Sequence, residues 1–144
     1  IPTTAKFDCI VSNPPFYEGD LKSPDEKKNL AAHSAELPWN ELTAHVASLL
    51  KEEGSYYVLI PALRAYTMQK LSEANGLQLV EEVLVYNSAK NLPIRAMQKF
   101  IKPIASMHSA TPFVIKRSKL FIKDTENDYS PVFKELLKDY YLHL

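Results

Sequence analysis

Residues 7–17 read FDCIVSNPPFY, and the character of the sequence changes abruptly in the middle of this stretch. The apolar run Cys9-Ile10-Val11 does not alternate with polar residues, which is typical of a strand buried on both faces in a parallel sheet. Pro14 and Pro15 fix φ and lack the amide hydrogen, so neither a strand nor a helix continues past them. Ligands bind beyond the carboxyl ends of strands in open α/β sheets. The stretch therefore predicts a buried strand followed by a rigid loop that belongs to a site.

The tetrapeptide Asn13-Pro14-Pro15-Phe16 resembles the Asn-Pro-Pro-Phe/Tyr motif of methyltransferases that use S-adenosylmethionine to methylate amino groups in a conjugated system. Such an amine is a poor nucleophile because its lone pair is delocalised into the ring. The side-chain oxygen of Asn13 and the carbonyl of Pro14 can accept its two hydrogens, which orients the amine and stabilises it electrostatically. Phe16 would stack on the base, a contact worth roughly 1–3 kcal/mol. The predicted catalytic residues are therefore Asn13, Pro14, Pro15 and Phe16.

The composition is that of one soluble globular domain. The chain has 144 residues, of which 46% are hydrophobic and 24% are charged, and no apolar run reaches the length of a membrane span. The single cysteine, Cys9, lies in the predicted strand, which argues against a disulfide and a cysteine-ligated metal and fits the cytoplasm. Because the chain opens on Ile1 and leads directly into a strand, we expect it to start in mid-fold.

Positive charge is concentrated in one segment. Residues 88–123 contain no Asp or Glu, and Lys and Arg contacts to phosphates bind nucleic acid regardless of its sequence. This segment favours an RNA surface, although lysines that protect an exposed sheet edge are the alternative. The residues predicted to contact the substrate RNA are Tyr17, His33, Lys90, Arg95, Lys99, Lys102, Lys116, Arg117 and Lys119.

Periodicity and breaker residues predict the remaining elements. Ser23 and Glu26 form a capping box for a short helix, and Pro38 opens an amphipathic helix that Gly54 is expected to end. Because no helical pattern separates the last three predicted strands, they are expected to be antiparallel. The other predicted elements are strands over 55–60, 77–86 (with Leu79, Val83 and Val85 on one side), 93–104 and 113–122, a helix that stops at Asn75-Gly76, and a helix capped by Ser130 with an apolar stripe.

This order of elements is similar to the carboxyl-terminal half of a Rossmann-like class I methyltransferase, an α/β fold whose mixed sheet ends in antiparallel strands. More specifically, the chain resembles the tRNA(Val) adenine-37 N6-methyltransferase family. The resemblance implies S-adenosylmethionine as cofactor, with Asn13 as one of its contacts, and tRNA as substrate. The matching residues beyond the tetrapeptide are Tyr17, Leu92-Pro93-Ile94-Arg95, Tyr129-Ser130-Pro131-Val132-Phe133, Leu137 and Tyr140-Tyr141.

The resemblance also implies that much of the cofactor site lies elsewhere. The family binds its cofactor mostly through a glycine-rich turn after the first strand, and none of Gly19, Gly54 and Gly76 forms such a turn. Residues 1–144 are therefore expected to be the carboxyl-terminal portion of a single methyltransferase domain, without the amino-terminal cofactor-binding half. We expect this piece alone to be inactive and to bind S-adenosylmethionine poorly.

Several other functions fit the same residues. The Asn-Pro-Pro motif also serves methylation of a protein glutamine amide at N5 and of guanine in rRNA at N2, because those nitrogens are equally delocalised. A non-catalytic half-domain that only binds nucleic acid is a further alternative. The tetrapeptide would then do no more than end a strand, since Asn-Pro is a common turn signal.

Overall fold

The computed structural model describes residues 5–14, 39–104 and 114–141. Within these ranges lie five strands and three helices, and their buried apolar side chains form one core. The predicted helix that begins with Ser23 and Glu26 lies outside the described residues. In chain order the elements are β1 (Phe7–Ser12), α1 (39–49), β2 (Leu50–Pro61), a 3-10 turn (Ala62–Arg64), α2 (Ala65–Ala74), β3 (Gln78–Tyr86), β4 (Pro93–Ile101), β5 (Lys116–Phe121) and α3 (Pro131–Leu137).

The strands form one mixed sheet in the order β1-β2-β4-β3-β5. β1 is parallel to β2, β4 is antiparallel to both β2 and β3, and β5 is parallel to β3. The carboxyl ends of β1, β2, β3 and β5 therefore lie at one edge of the sheet, together with the start of β4. We call this edge the carboxyl rim. The α/β class with a mixed sheet, predicted from the sequence, is confirmed.

The core lies on one face of the sheet, where β2, β3 and β4 pack against α1 and α2. Tyr56 of β2 and Phe100 of β4 are fully buried, and their rings stack with centroids 5.9 Å apart. Burying side chains of this size contributes about 1.5–3 kcal/mol each. The other core side chains are Trp39, Val46, Leu50, Val58, Ile60, Met68, Leu77, Leu79 and Ala96.

The opposite face of the sheet, which we call the outer face, carries Val11, Tyr57, Met97 and Lys99. Val11 is 74% exposed and Tyr57 is 39% exposed. The sequence predicted that β1 is buried on both faces with Cys9 in its core, and this is wrong, because Cys9 is also exposed. The helices that contribute to the core lie on the other side of the sheet, so only the Ile10 side of β1 packs against them.

The glycine predicted to end α1 is part of β2 instead. The register shifts between the pairs Phe7–Leu50 and Cys9–Ser55, and Glu53 in the irregular stretch adopts a φ of 61°. Gly54 is buried there, and a Cβ atom would meet Cγ of Leu50 at 2.8 Å. Gly54 is therefore required by packing within a strand. The predicted end of α2 is confirmed, because Gly76 follows that helix with a φ of 81°.

Two predictions about the later strands are wrong. A register shift between Leu79 and Glu81 turns β3, so Leu79 lies on the core face whereas Val83 and Val85 pair with outer-face residues. β5 is parallel to β3 rather than antiparallel, because it pairs with β3 and not with β4, and both β3 and β5 run opposite to β4. The antiparallel pairing of β3 with β4 is confirmed.

The helix capped by Ser130 is confirmed. The Ser130 hydroxyl accepts from the Phe133 amide at 3.2 Å and donates to the Phe121 carbonyl at 2.6 Å, which ties α3 to the end of β5. The predicted apolar stripe is not buried among the described residues, because Val132, Leu136 and Tyr140 are exposed.

Candidate active site at the carboxyl rim

Asn13 and Pro14 lie at the carboxyl rim, immediately after β1 ends. The last ladder pair of β1 joins Ser12 to Val58 of β2, so Asn13 begins the loop beside the final residues of β2. The structure leaves Asn13 exposed and buries Pro14. This is the position that the sequence predicted for an accessible carboxamide on a rigid support. Pro15, Phe16, Tyr17 and His33, four further predicted site residues, lie outside the described residues.

A pair of hydroxyl groups joins β1 to β2 just before the loop. The Ser12 Oγ atom lies 2.8 Å from the Tyr56 Oη atom, and either oxygen can donate. Burial raises the pKa of the Tyr56 phenol above its ordinary value, while the hydrogen bond with Ser12 acts in the opposite direction. The phenol is therefore neutral at physiological pH. Sequence reasoning missed this pair, and its only sequence signal is a serine directly before the Asn-Pro-Pro run.

Three of the predicted RNA-contacting residues lie towards the carboxyl rim. Lys90 is exposed in the turn between β3 and β4, and Arg95 pairs with Pro61 at the end of β2. The Arg95 guanidinium donates from Nη1 to the Ile94 carbonyl at 3.0 Å. Lys119 of β5 holds its Nζ 5.7 Å from the centre of the Tyr86 ring. These cations and Asn13 share one edge of the sheet.

Lys99 lies farther from the rim, on the outer face. It pairs with Tyr57, which in turn pairs with Val11 of β1. Its Nζ atom is 5.4 Å from the centre of the Tyr57 ring, a separation at which a cation is attracted to the aromatic face. Lys99 and the half-exposed Tyr57 thus combine a positive charge with an accessible ring.

Lys102 lies at the opposite end of the sheet from Asn13. Its backbone bonds to Glu53 and Gly54, and the strand from Gly54 to Val58 spans about 13 Å at about 3.3 Å per residue. Its Nζ atom donates to the carbonyl oxygens of Ala47 at 2.6 Å and Leu50 at 3.1 Å. The geometry gives Lys102 a structural role at the end of α1, where helix carbonyls lack intrahelical partners.

Lys116 and Arg117 are each paired with an acid of β3. Lys116 Nζ lies 3.3 Å from Glu81 Oε1, and Arg117 Nε lies 3.3 Å from Glu82 Oε1. Gln98 also donates to the Glu82 carboxylate, at 2.7 Å. The positive charge of residues 88–123 is therefore partly neutralised by the two glutamates of β3. The two glutamates precede that stretch in the sequence, so only the pairing of β5 with β3 reveals the compensation.

The described residues hold only part of what a nucleotide-like cofactor requires. Asn13 is accessible at a strand end, where a cofactor of an open α/β sheet binds. Gly54 is fixed by packing and Gly76 ends α2, so neither described glycine belongs to a turn that admits a cofactor. Asn13 fits the reacting end of such a cofactor, and the remainder of the molecule needs other residues.

The described residues contain neither a group of side chains that could hold a metal ion nor a membrane-spanning helix. Within 5–14, 39–104 and 114–141, no three His, Cys, Asp or Glu side chains are grouped so that they could hold a metal ion. In the same part of the chain no helix combines the length and the apolar character needed to cross a bilayer.

Comparison of the whole sequence with curated proteins identifies its relatives. The chain is 30% identical over 138 residues to the tRNA1(Val) (adenine(37)-N6)-methyltransferase of Dyadobacter fermentans, and 30% identical over 139 residues to the protein of the same name from Bacteroides thetaiotaomicron. These alignments cover 95% and 96% of the chain. The chain is thus similar to members of this family over nearly all of its own length. A Flavobacteriaceae member with that name is 37% identical over 98 residues.

The chain spans 55% of the length of the first two relatives, so about half of a typical family member is represented. No protein-family model matches the chain. The likeness to the family therefore rests on individual relatives, and it extends over nearly all of the chain.

Solved structures show the same fold. A predicted O-methyltransferase of Agrobacterium tumefaciens superposes with a TM-score of 0.62 over 95% of the chain and 53% of its own length, at 13% identity. A protein of Listeria monocytogenes described as a class I S-adenosylmethionine-dependent methyltransferase gives a TM-score of 0.52 over 83% of the chain and 38% of its own length, at 12% identity. The mixed sheet of this chain is therefore found within class I methyltransferases.

Proposed function

We propose that the complete protein containing this chain transfers a methyl group from S-adenosylmethionine to the N6 amino group of an adenine in tRNA. The observation that carries the proposal is the accessible Asn13-Pro14 corner at the carboxyl rim, in a chain whose relatives are named for this reaction. We further propose that residues 1–144 are the carboxyl-terminal portion of the methyltransferase domain. The glycine-rich part of the cofactor site would then lie outside this chain.

The chemistry follows from what the rim can supply. The cofactor provides an electrophilic methyl group on a sulfonium. Asn13, through its side-chain oxygen, and Pro14, through its carbonyl, would accept the two N6 hydrogens and direct the amine lone pair towards that methyl group. In such a transfer N6 would bond to the methyl carbon as the carbon–sulfur bond breaks, and the surplus N6 proton would leave to solvent. S-adenosylhomocysteine is the second product. Phe16 would stack on the extruded base.

Basic side chains along the rim support RNA as the substrate. The strand spacing of about 4.8 Å places Arg95, two strands from β1, about 10 Å across the sheet, and Lys119 about 19 Å across it. Lys90 lies in the turn at the same edge. A nucleic acid strand whose base enters at Asn13 can reach these cations with its phosphates. The proposed cellular location is the cytoplasm, where tRNA is modified.

The proposal is tested by methyl transfer to defined RNAs. The complete protein is incubated with S-adenosylmethionine carrying a tritiated methyl group and with a transcript of tRNA(Val) or the same transcript with guanine at position 37. We expect incorporation only into the first transcript, followed by recovery of N6-methyladenosine after digestion. Equal incorporation into both transcripts would remove position 37 from the proposal. No incorporation into any tRNA would refute adenine methylation in tRNA.

The same assay separates the other functions. Methyl transfer to a glutamine-containing protein substrate or to guanine in rRNA, with none to tRNA, would assign the protein to one of those activities. RNA binding without transfer to any acceptor would identify a non-catalytic module. The salt dependence of tRNA binding supplies an independent observation, because phosphate contacts make affinity fall steeply as salt rises.

A further inference from the structure

Among the described residues, the hydroxyl pair Ser12–Tyr56 links a core side chain to the residue that precedes the proposed catalytic corner. Tyr56 is fully buried and stacks on Phe100, so its ring is fixed by the core. Its hydroxyl reaches across to Ser12 Oγ at 2.8 Å. Ser12 is half-buried and is bonded covalently to Asn13.

The position of this pair matters because ordinary strand pairing stops there. Ser12–Val58 is the last ladder pair between β1 and β2, and Pro14 and Pro15 cannot donate a backbone hydrogen bond. A side-chain hydrogen bond at Ser12 therefore adds a second restraint to the final residue of β1, at the point where the backbone ladder ends. Because Asn13 follows Ser12 directly, a restraint on Ser12 also restrains the position of Asn13. Such a restraint matters because a misplacement of reacting groups by about 1 Å slows a transfer reaction.

We propose that Tyr56 is a positioning residue for Asn13, acting through its hydrogen bond to Ser12. The inference rests on the proposed methyl transfer and adds to it a named residue that does not touch the substrate. The neutral phenol expected from burial of Tyr56 can either donate to or accept from the serine hydroxyl, so the bond persists across physiological pH.

The test uses the complete protein with four substitutions. Tyr56→Phe and Ser12→Ala each remove one hydroxyl of the pair, and Ser12→Thr keeps the hydroxyl. Thr43→Val is the matched control, because Thr43 is equally buried and its hydroxyl bonds to Asn40 and Asn75 between α1 and α2. Steady-state methyl transfer to tRNA and the midpoint of urea unfolding are measured for each variant.

We expect Tyr56→Phe and Ser12→Ala to lower kcat about tenfold with KM for both substrates unchanged. The double variant should be no slower than either single variant, because both remove the same contact. Ser12→Thr should retain the wild-type kcat. Thr43→Val should lower the unfolding midpoint without changing kcat.

Two results would overturn the inference. One is a wild-type kcat in Tyr56→Phe and Ser12→Ala. The other is a loss of kcat in Thr43→Val that equals the loss in Tyr56→Phe at equal loss of stability, since Tyr56 would then act only through general stability. A wild-type protein that methylates no RNA refutes the proposed function instead, so the two failures are distinguishable.

Discussion

Lys102 donates from Nζ to the carbonyl oxygen of Ala47 at 2.6 Å. This residue of the basic segment 88–123 therefore binds a free carbonyl at the carboxyl end of α1. A second bond reaches Leu50. Because the Lys102 ammonium makes charged hydrogen bonds and interacts favourably with the helix dipole, we expect Lys102→Met to lower the free energy of unfolding by about 1–2 kcal/mol. Urea denaturation followed by circular dichroism measures this value.

The same substitution should leave tRNA affinity unchanged, because Lys102 lies at the far end of the sheet from Asn13. Lys99→Met, on the outer face beside Tyr57, is the comparison variant. We expect it to weaken tRNA binding with little effect on unfolding. A loss of RNA affinity in Lys102→Met, with unchanged stability, would show that Lys102 does not have a structural role at the end of α1.

Lys116 and Lys119 of β5 should contribute differently to RNA binding. Lys119→Gln is expected to reduce the slope of log affinity against log salt concentration by about 1, the value of one lost phosphate contact. The double variant Lys116→Gln/Glu81→Gln removes both members of an ion pair without changing net charge. It should bind tRNA as the wild type does, as measured by fluorescence anisotropy at several salt concentrations. A reduced slope in the double variant would show that Lys116 contacts RNA despite Glu81.

We expect substitutions at Gly54 and Gly76 to destabilise the fold for different physical reasons. Gly54→Ala places a Cβ atom 2.8 Å from Leu50 Cγ and 2.9 Å from the Lys51 carbonyl oxygen, and we expect it to destabilise the fold by about 1–3 kcal/mol. Gly76→Ala meets no atom within 4 Å but must adopt a φ of 81°. It should cost about 1 kcal/mol, and Gly76→Asn less, because asparagine tolerates this conformation better. Thermal unfolding of the three variants tests both explanations.

The elements that could be predicted from sequence are those that local chemistry controls. Pro14 and Pro15 end β1 whichever strand it pairs with, and the Ser130 side chain caps α3 by accepting from the Phe133 amide three residues later. The local sequence around Gly54 is also typical of a helix end, but the pairing of β2 with β1 places Gly54 inside a strand. Tertiary pairing decided that case.

The candidate site likewise combines a feature that the local sequence predicts with features that only the pairing of strands determines. The placement of Asn13 at a strand end follows from the sequence alone, whereas the role of each lysine depends on which strand it meets. Lys116 and Arg117 face Glu81 and Glu82 only because β5 runs parallel to β3, a direction that no local pattern specifies. The tie between Ser12 and Tyr56 likewise joins two hydroxyls that lie far apart in the chain.

Asp128 predicts a defined acid dependence of stability. The Lys134 ammonium 2.8 Å away, and then the Tyr129 amide, hold the pKa of the Asp128 carboxyl below its ordinary value of 3.8. The unfolded chain therefore binds more protons, so the stabilisation is complete above about pH 4 and is lost as pH falls through the lowered pKa. Asp128→Asn should lower the melting temperature at pH 6, and this effect should shrink progressively as the pH falls below 3.8. Asp139→Asn, at an exposed position after α3, controls for loss of a negative charge.

Asn13→Ala should reduce methyl transfer by the complete protein about 10²–10³-fold, as expected when a group that stabilises the transition state is removed. Asn13 is exposed, so the melting temperature should not change. Asn13→Asp retains an acceptor oxygen and should be more active than the alanine variant, whereas Asn40→Ala removes an exposed amide from α1 and should be fully active. Single-turnover rates with saturating cofactor and tRNA separate transfer from binding. A wild-type rate in Asn13→Ala would exclude the carboxamide from the reaction and leave the diproline corner as a structural end to β1.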